Sequence, residues 1–310
     1  TAAISTSSVI VREKYTPNLK ALSLILKTKY LNVSVPFTNP TALWSHKEFR
    51  TDLPLVLFVS GWKTDLLVHM STAQETIFKA YACRGNVNFV VLDTAAFVDT
   101  LYTWAAFNTE TIGRYLGDIL KILAEKIPYK NIHLIGHSLG AHICGVAGRR
   151  FNKLTQNILP RITGLDPASP CFEFGEKLSG LFRGDAQFVD VIHTNPGVFG
   201  KRDAVGDSDF FCNGLSPLQP GCMSIHCSHA RAWEYYAETV YPGNEDNFLA
   251  VECTSMSAFN SNFCRGKAIS MGFTAPNSSK GIFFLKTQSK SPYGMHAKPN
   301  YKPVCIENNQ

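Results

Sequence analysis

The sequence predicts an α/β fold, a mainly parallel central sheet with helices on both faces. Three observations carry that reading. Short apolar runs recur along the chain and are continuous rather than alternating, the pattern of strands covered on both faces. Segments of helical period lie between them, which calls for crossover connections and hence parallel strands. Residues 132–148, IHLIGHSLGAHICGVAG, pass from an apolar run through a serine between two glycines into a small-residue stretch, a strand, a sharp turn and a helix in succession.

In chain order, LPLVLFVSGW over 53–62 reads as a buried strand ending in a tight turn, and residues 71–82 have helical spacing. NVNFVVLD over 86–93 is a second buried strand. Residues 108–127 place Ile112, Leu116, Ile119, Leu120 and Leu123 on one face of an amphipathic helix, with Asn108 or Thr109 available as its cap. NIHLIG over 131–136 is the third strand and leads into a helix after Ser138. RITGLD over 161–166 and QFVDVIHT over 187–194 are further strands, and residues 228–240 a further helix. Beyond Tyr241 the pattern weakens into loops and short apolar runs such as GIFFL at 281–285. Neither repeats nor a low-complexity linker interrupt the chain, so residues 1–310 are expected to form one domain with an irregular C-terminal part.

The 310 residues are 45% hydrophobic and 17% charged, an ordinary globular balance that supports a substantial core. No apolar run approaches the ~18 residues of a membrane helix. The net charge of +6 is not gathered in one long basic run, which argues against nucleic acid and for a modest attraction to anionic surfaces. No signal-like segment opens the chain, as in a processed, mature form. None of the nine cysteines forms a CxxC pair of zinc or redox type, and five crowd between Cys212 and Cys264. That crowding in loop-rich sequence predicts disulfides and an oxidising, extracellular compartment. The odd count leaves at least one thiol over, and Cys144, inside the helix after Ser138, is the first candidate. The sequons at Asn32 and Asn277 fit a secreted glycoprotein.

Gly136-His137-Ser138-Leu139-Gly140 is G-x-S-x-G. A chain of this length contains the bare pattern by chance about one time in ten, so the flanking strand and helix decide its meaning. Glycines there permit a sharp turn and close strand–helix packing, and the serine hydroxyl then projects beside a helix N-terminus. Serine is a poor nucleophile at neutral pH and needs a histidine to take its proton and a carboxylate to orient that histidine. Asp166, at the end of a strand in GLDPASP, is the best-placed acid, whereas Asp190 lies mid-strand among apolar residues. Downstream of Asp166 stand His193, His226, His229 and His296. His193 ends a strand, while His226 and His229 fall in a cysteine-bounded loop leading into a helix. Composition leaves the choice among them open.

The segments GHSLGAH, GLDPASPCF, DAQFVDVIHTN and CSHARAWEYY resemble the pancreatic lipase family in order and spacing, across roughly residues 56–264. The resemblance implies an α/β-hydrolase fold with Ser138 as nucleophile, Asp166 as acid and His229 as base, and makes His193 a structural residue. It implies an oxyanion hole formed by the backbone N–H groups of Trp62 and Leu139, with Ser60-Gly61 standing where the family's His-Gly pair is usual. Full-length members carry a second, β-sandwich domain, for which this chain has no room. It is similar in this to the single-domain insect members, among them the venom phospholipases A1. The family's lid lies between two cysteines ahead of the catalytic histidine. Here Cys222 and Cys227 enclose only four residues, too few to cover an acyl site, which suits a phospholipid whose head stays in water. The loop over 195–211 is the alternative lid. Disulfides Cys222–Cys227 and Cys253–Cys264 are expected, each closing a short loop, with Cys83, Cys171, Cys212 and Cys305 left unassigned. The family's calcium site is acidic, and only Asp185 matches it, so neither a metal nor another cofactor is expected. The implied function is a secreted, monomeric serine esterase that hydrolyses the sn-1 acyl ester of phospholipids at a membrane or lipoprotein surface. A triglyceride lipase or galactolipase is the alternative of the same class. A silent lipid-binding or yolk-type storage protein is the alternative of another class, although such relatives typically lose the serine.

Overall fold

The computed structural model describes residues 18–61, 73–94, 102–172, 178–261, 263–264, 266–298 and Cys305. Its frame is a sheet in which seven strands run parallel. They are β3 (Leu55–Val59), β4 (Asn88–Asp93), β5 (Ile132–His137), β6 (Arg161–Leu165), β7 (Phe188–His193), β8 (Ser208–Cys212) and β11 (Gly281–Leu285). A hairpin of β1 (Ser23–Lys27) and β2 (Asn32–Pro36) adds antiparallel to β4. On the other side β9 (Leu249–Glu252) and β10 (Ile269–Ser270) add antiparallel beyond β11. The full order is β10-β9-β11-β8-β7-β6-β5-β3-β4-β1-β2.

The continuous apolar runs are explained by helices on both faces. Residues alternate between two cores: Leu55, Leu57 and Leu134 face one, and Val56, Phe58 and Ile135 the other. The first core is closed by α2 (Tyr102–Leu123) and α3 (Leu139–Thr155), the second by α1 (Ala73–Arg84) and α4 (Ile225–Val240). On α2 the stripe Ile112, Leu116, Leu120 and Leu123 is fully buried, each side chain worth about 1.5–3 kcal/mol in transfer from water. A short helix, α5 (Met256–Asn260), follows β9.

Several boundaries differ from the sequence reading. Helix α2 begins at Tyr102, so Asn108 and Thr109 are interior rather than capping. Both are buried, and their side chains bond back to the preceding turn, Asn108 Nδ2 to the Trp104 carbonyl at 2.9 Å and Thr109 Oγ1 to that of Ala106 at 2.7 Å. Helix α4 begins at Ile225, three residues before the expected start at Ser228, and is capped by Ser224, whose Oγ accepts from Cys227 N at 3.1 Å, so His226 joins His229 on the helix. The segment after His193 ends in a buried strand, β8, and the C-terminal part supplies three strands of the sheet.

Chain order places the crossover. From β3 the chain moves outward to β4, then returns to the far side of β3 as β5 and proceeds through β6, β7 and β8. In open α/β sheets the binding crevice lies at the carboxyl ends of the strands where that direction reverses. Those ends are Gly61 after β3 and Ser138 after β5.

The packing of α2 on α3 generates a stability prediction. A glycine in a helix interior usually costs about 1 kcal/mol relative to alanine. At Gly113 a Cβ would lie 2.5 Å from Val146 Cβ and 2.9 Å from the Ile143 carbonyl oxygen. Overpacking of that kind costs about 1–3 kcal/mol, so Gly113→Ala is expected to destabilise. Urea unfolding should show a lower midpoint at unchanged slope, and a raised midpoint would show that the two helices can part at little cost.

Candidate active site

The turn after β5 holds Ser138 at φ 56° and ψ −123°. A non-glycine residue there costs on the order of 1–3 kcal/mol and persists only where its surroundings over-determine it. They do so here. Ser138 N donates to the Leu165 carbonyl at 3.0 Å, tying the turn to the end of β6. Both flanking glycines are steric necessities: a Cβ on Gly136 would meet the Gly140 carbonyl oxygen at 2.4 Å, and one on Gly140 the Val59 carbonyl oxygen at 2.1 Å. Leu139 opens α3, so its N–H is one of the four that no intrahelical carbonyl can take, at the positive end of the helix dipole. Gly61 packs directly against the serine, with Ser138 Cβ 2.5 Å from where its own Cβ would be. Trp62 lies outside the described residues.

Asp166 follows β6 directly, at φ 44°, and its side chain is fully buried. Its Oδ1 accepts from the backbone N–H groups of Thr194 at 2.8 Å and Asn195 at 3.0 Å, and its Oδ2 lies 2.5 Å from His229 Nδ1. A buried carboxylate needs its lone pairs satisfied, and these three donors do that. Gly200 packs against the group from the other side, where a Cβ would sit 2.3 Å from Oδ1. Since a carboxylate accepts, Nδ1 carries the histidine's hydrogen and Nε2 is left as the basic nitrogen. Among the described residues no hydrogen bond joins Ser138 Oγ to His229. Such bonds commonly tighten only with substrate bound.

The rival residues are engaged elsewhere. His193 is buried, with Nδ1 3.0 Å from the Lys201 carbonyl oxygen, Nε2 2.9 Å from Asp209 Oδ1 and its ring stacked on Phe211. Asp190 receives Arg161 through two bonds of 2.8 Å and Thr163 Oγ1 through a third. His226 is exposed against the Phe199 ring. The backbone donors to Asp166 and the role of Gly200 escaped the sequence reading, because main-chain groups and an absent side chain leave no local signature.

Cysteines pair as Cys222–Cys227, Cys253–Cys264 and Cys83–Cys305, leaving Cys144, Cys171 and Cys212 as thiols. Cys144 is fully buried, and burial pushes its thiol well above the ordinary range. The Cys222–Cys227 ring contains Ser224, Ile225 and His226, the cap and first turn of α4, so this loop is part of a helix end. The alternative lid over 195–211 is pinned at its start: Asn195 Oδ1 accepts from Phe199 N at 2.8 Å and its Nδ2 donates to the Pro217 carbonyl. Its far end is β8. The remaining acidic candidate, Asp185, receives Arg149 Nη1 at 2.7 Å on both oxygens and Phe182 N at 2.9 Å. Burial pushes its carboxyl up to about 6 against the pull of Arg149. A guanidinium in that place does not fit a calcium ligand set, and among the described residues no three His, Cys, Asp or Glu gather as a metal site would need. The sequon residues Asn32 and Asn277 are both exposed.

Comparison with known proteins adds a second line. The chain is 36% identical over 212 residues to Vitellogenin-1 of Ceratitis capitata, covering 68% of this chain and 48% of that protein. It is 33% identical over 283 residues to the pancreatic triacylglycerol lipase of Equus caballus, with 76% and 59% covered. It is 31% identical over 283 residues to the phospholipase A1 of Vespa crabro, with 84% and 91% covered. The chain thus spans about half the length of its vitellogenin relatives and most of that of the wasp protein. The Lipase family profile matches residues 24–293, and the chain belongs to that family, the one that contains the pancreatic lipases.

Proposed function

We propose that this protein is a secreted serine esterase that cleaves the sn-1 acyl ester of phospholipids. The observation that carries the reading is the contact of His229 Nδ1 with the buried Asp166 carboxylate, at the mouth of the crevice where Ser138 sits on a strained turn. In this reading His229 Nε2 takes the Ser138 proton as Oγ attacks the ester carbonyl. The oxyanion is received by the N–H groups of Leu139 and Trp62, donors fixed in place before the reaction. Collapse expels the lysolipid alkoxide, which takes its proton from His229, and water activated by the same nitrogen releases the fatty acid from Ser138.

A phospholipid is favoured over a triglyceride on two grounds. The wasp phospholipase A1 is matched over 91% of its length. The Cys222–Cys227 segment is a helix cap and not a flap, so nothing in it closes over an apolar site. Exposed Val198, Leu218 and Met223 stand on the segments that lead to His229, where a lipid surface would meet the protein. Export is supported by the three disulfides. A storage protein is the second reading, supported by the vitellogenin relatives at 36% identity; it requires no turnover at all.

Three outcomes test this. Ser138→Ala and His229→Ala should each lower ester hydrolysis by about four to six orders of magnitude in a folded protein, and the double variant should lose little more, because the pair acts as a unit. Activity within tenfold of wild type in either variant would overturn the assignment, and an inactive wild type would favour storage. Gly200→Ala removes no reacting group but pushes a methyl into the Asp166 carboxylate; about a hundredfold loss in kcat is expected at unchanged KM. Wild-type turnover in that variant would mean that the carboxylate's position is not critical. On phosphatidylcholine vesicles beside emulsified triolein, the vesicles should be hydrolysed at least as fast, releasing the sn-1 acid and leaving a 2-acyl lysolipid. Preference for triolein with a sharp rise at the interface would make this a triglyceride lipase.

A further inference from the structure

A histidine that the triad does not use lies between the two arms of the site. His137 closes β5 immediately before Ser138 and is buried. Its Nε2 lies 3.2 Å from the backbone carbonyl oxygen of His229, and the two imidazole rings stand 4.5 Å apart at 43°. A carbonyl only accepts, so Nε2 carries the hydrogen and Nδ1 is a bare acceptor. That Nδ1 is buried and, among the described residues, has no partner. Burial, then the proximity of His229, holds the protonation of His137 well below the ordinary histidine range. The ring is therefore neutral while His229 gains and loses its proton.

An orphaned buried acceptor is a cost to folding, and an apolar side chain of similar size would avoid it. Stability alone is thus a poor reason for an imidazole at this point. The N–H provides something else. A helix carbonyl keeps a second lone pair after its own i+4 bond, and His137 takes the one on the base itself. The residue before the nucleophile grips the main chain of the residue that must deprotonate it.

We propose that His137 is a positioning residue for the base. Asp166 fixes the rotation of the His229 ring from one side. His137 fixes the backbone from which that ring hangs and so sets the separation between His229 Nε2 and Ser138 Oγ. This rests on the reading of Ser138 and His229 as nucleophile and base, and it adds a restraint from the strand that carries the nucleophile.

The test compares three variants. Gln places an amide N–H where His137 Nε2 is, Asn falls a bond short, and Leu fills the space with no donor. The readouts are kcat and KM on a soluble short-chain ester and the rate at which a fluorophosphonate labels Ser138, with near-ultraviolet circular dichroism and thermal unfolding as checks on the fold. His137→Asn and His137→Leu should each lose about ten- to a hundredfold in kcat and in labelling rate at unchanged KM. His137→Gln should recover most of the wild-type rate, and His137→Leu should unfold no earlier than wild type. Equal rates for Gln and Asn, or a fast His137→Leu, would overturn the proposal, as would a His137→Leu protein that does not fold, since the imidazole would then be structural. Ser138→Ala measured alongside separates the cases: if it still turns over and labels, the triad reading fails rather than this one.

Discussion

The site depends on one close approach of backbone to backbone. Gly140, in the first turn of α3, rests against the Val59 carbonyl at the end of β3, and Gly136 rests against the Gly140 carbonyl. These contacts push the turn between β5 and α3 into a conformation that Ser138 would otherwise avoid, and its hydroxyl is left facing the crevice at Gly61. The strain of about 1–3 kcal/mol is small beside the burial of the helices on either face. A side chain at either glycine would move the strand end, the helix start and Ser138 together.

The carboxylate arm is built by a different device. Asp166 is buried without a cationic side chain among the partners that hold it, and stays satisfied through two backbone N–H groups and one imidazole. Backbone donors at the start of a pinned loop cannot rotate away, so one oxygen is held rigidly and the other is left for His229. The loop is pinned in turn by Asn195, which accepts from Phe199 N and donates to the Pro217 carbonyl. Phe199 then places its ring 5.5 Å from that of His229. Asp166, the loop that feeds it and one wall around His229 are thus a single folded unit.

Much of this was legible in the sequence, for identifiable reasons. Strand β3 is an unbroken apolar run, and β5, β6 and β7 are largely apolar, because helices cover both faces, and G-x-S-x-G is legible because both of its glycines are sterically forced. Asp166 could be found from its place at a strand end. His229 could not be chosen on composition, since His193 also ends a strand; only the family resemblance favoured it, and the contact with Asp166 fits that choice. Strand β8 was hidden because it follows a stretch rich in Gly and Asp and opens on two buried polar residues, Ser208 held by Ser279 and Asp209 by His193 and the Val205 and Gly206 N–H groups. The start of α4 was hidden because CMSIH reads as a cysteine-bounded loop, whereas Ser224 in fact caps a helix inside the disulfide ring. His137 was invisible in its role because its partner is a main-chain carbonyl 92 residues away.

That capped helix end also limits how far its segment can move. A flap that closes must have a second stable position, which requires chain free of the fold. The residues between Cys222 and Cys227 have none to spare: Ser224 is committed to Cys227 N, and Gln219 just before them donates its N–H to Ser228 Oγ within the same helix. Moving this segment would uncap α4 and shift His229, which sits in the second turn of that helix. Any opening at this point would displace His229 as well. The cap of α4 and the contact of His229 with Asp166 are therefore one rigid assembly, and the exposed Met223 is carried on it.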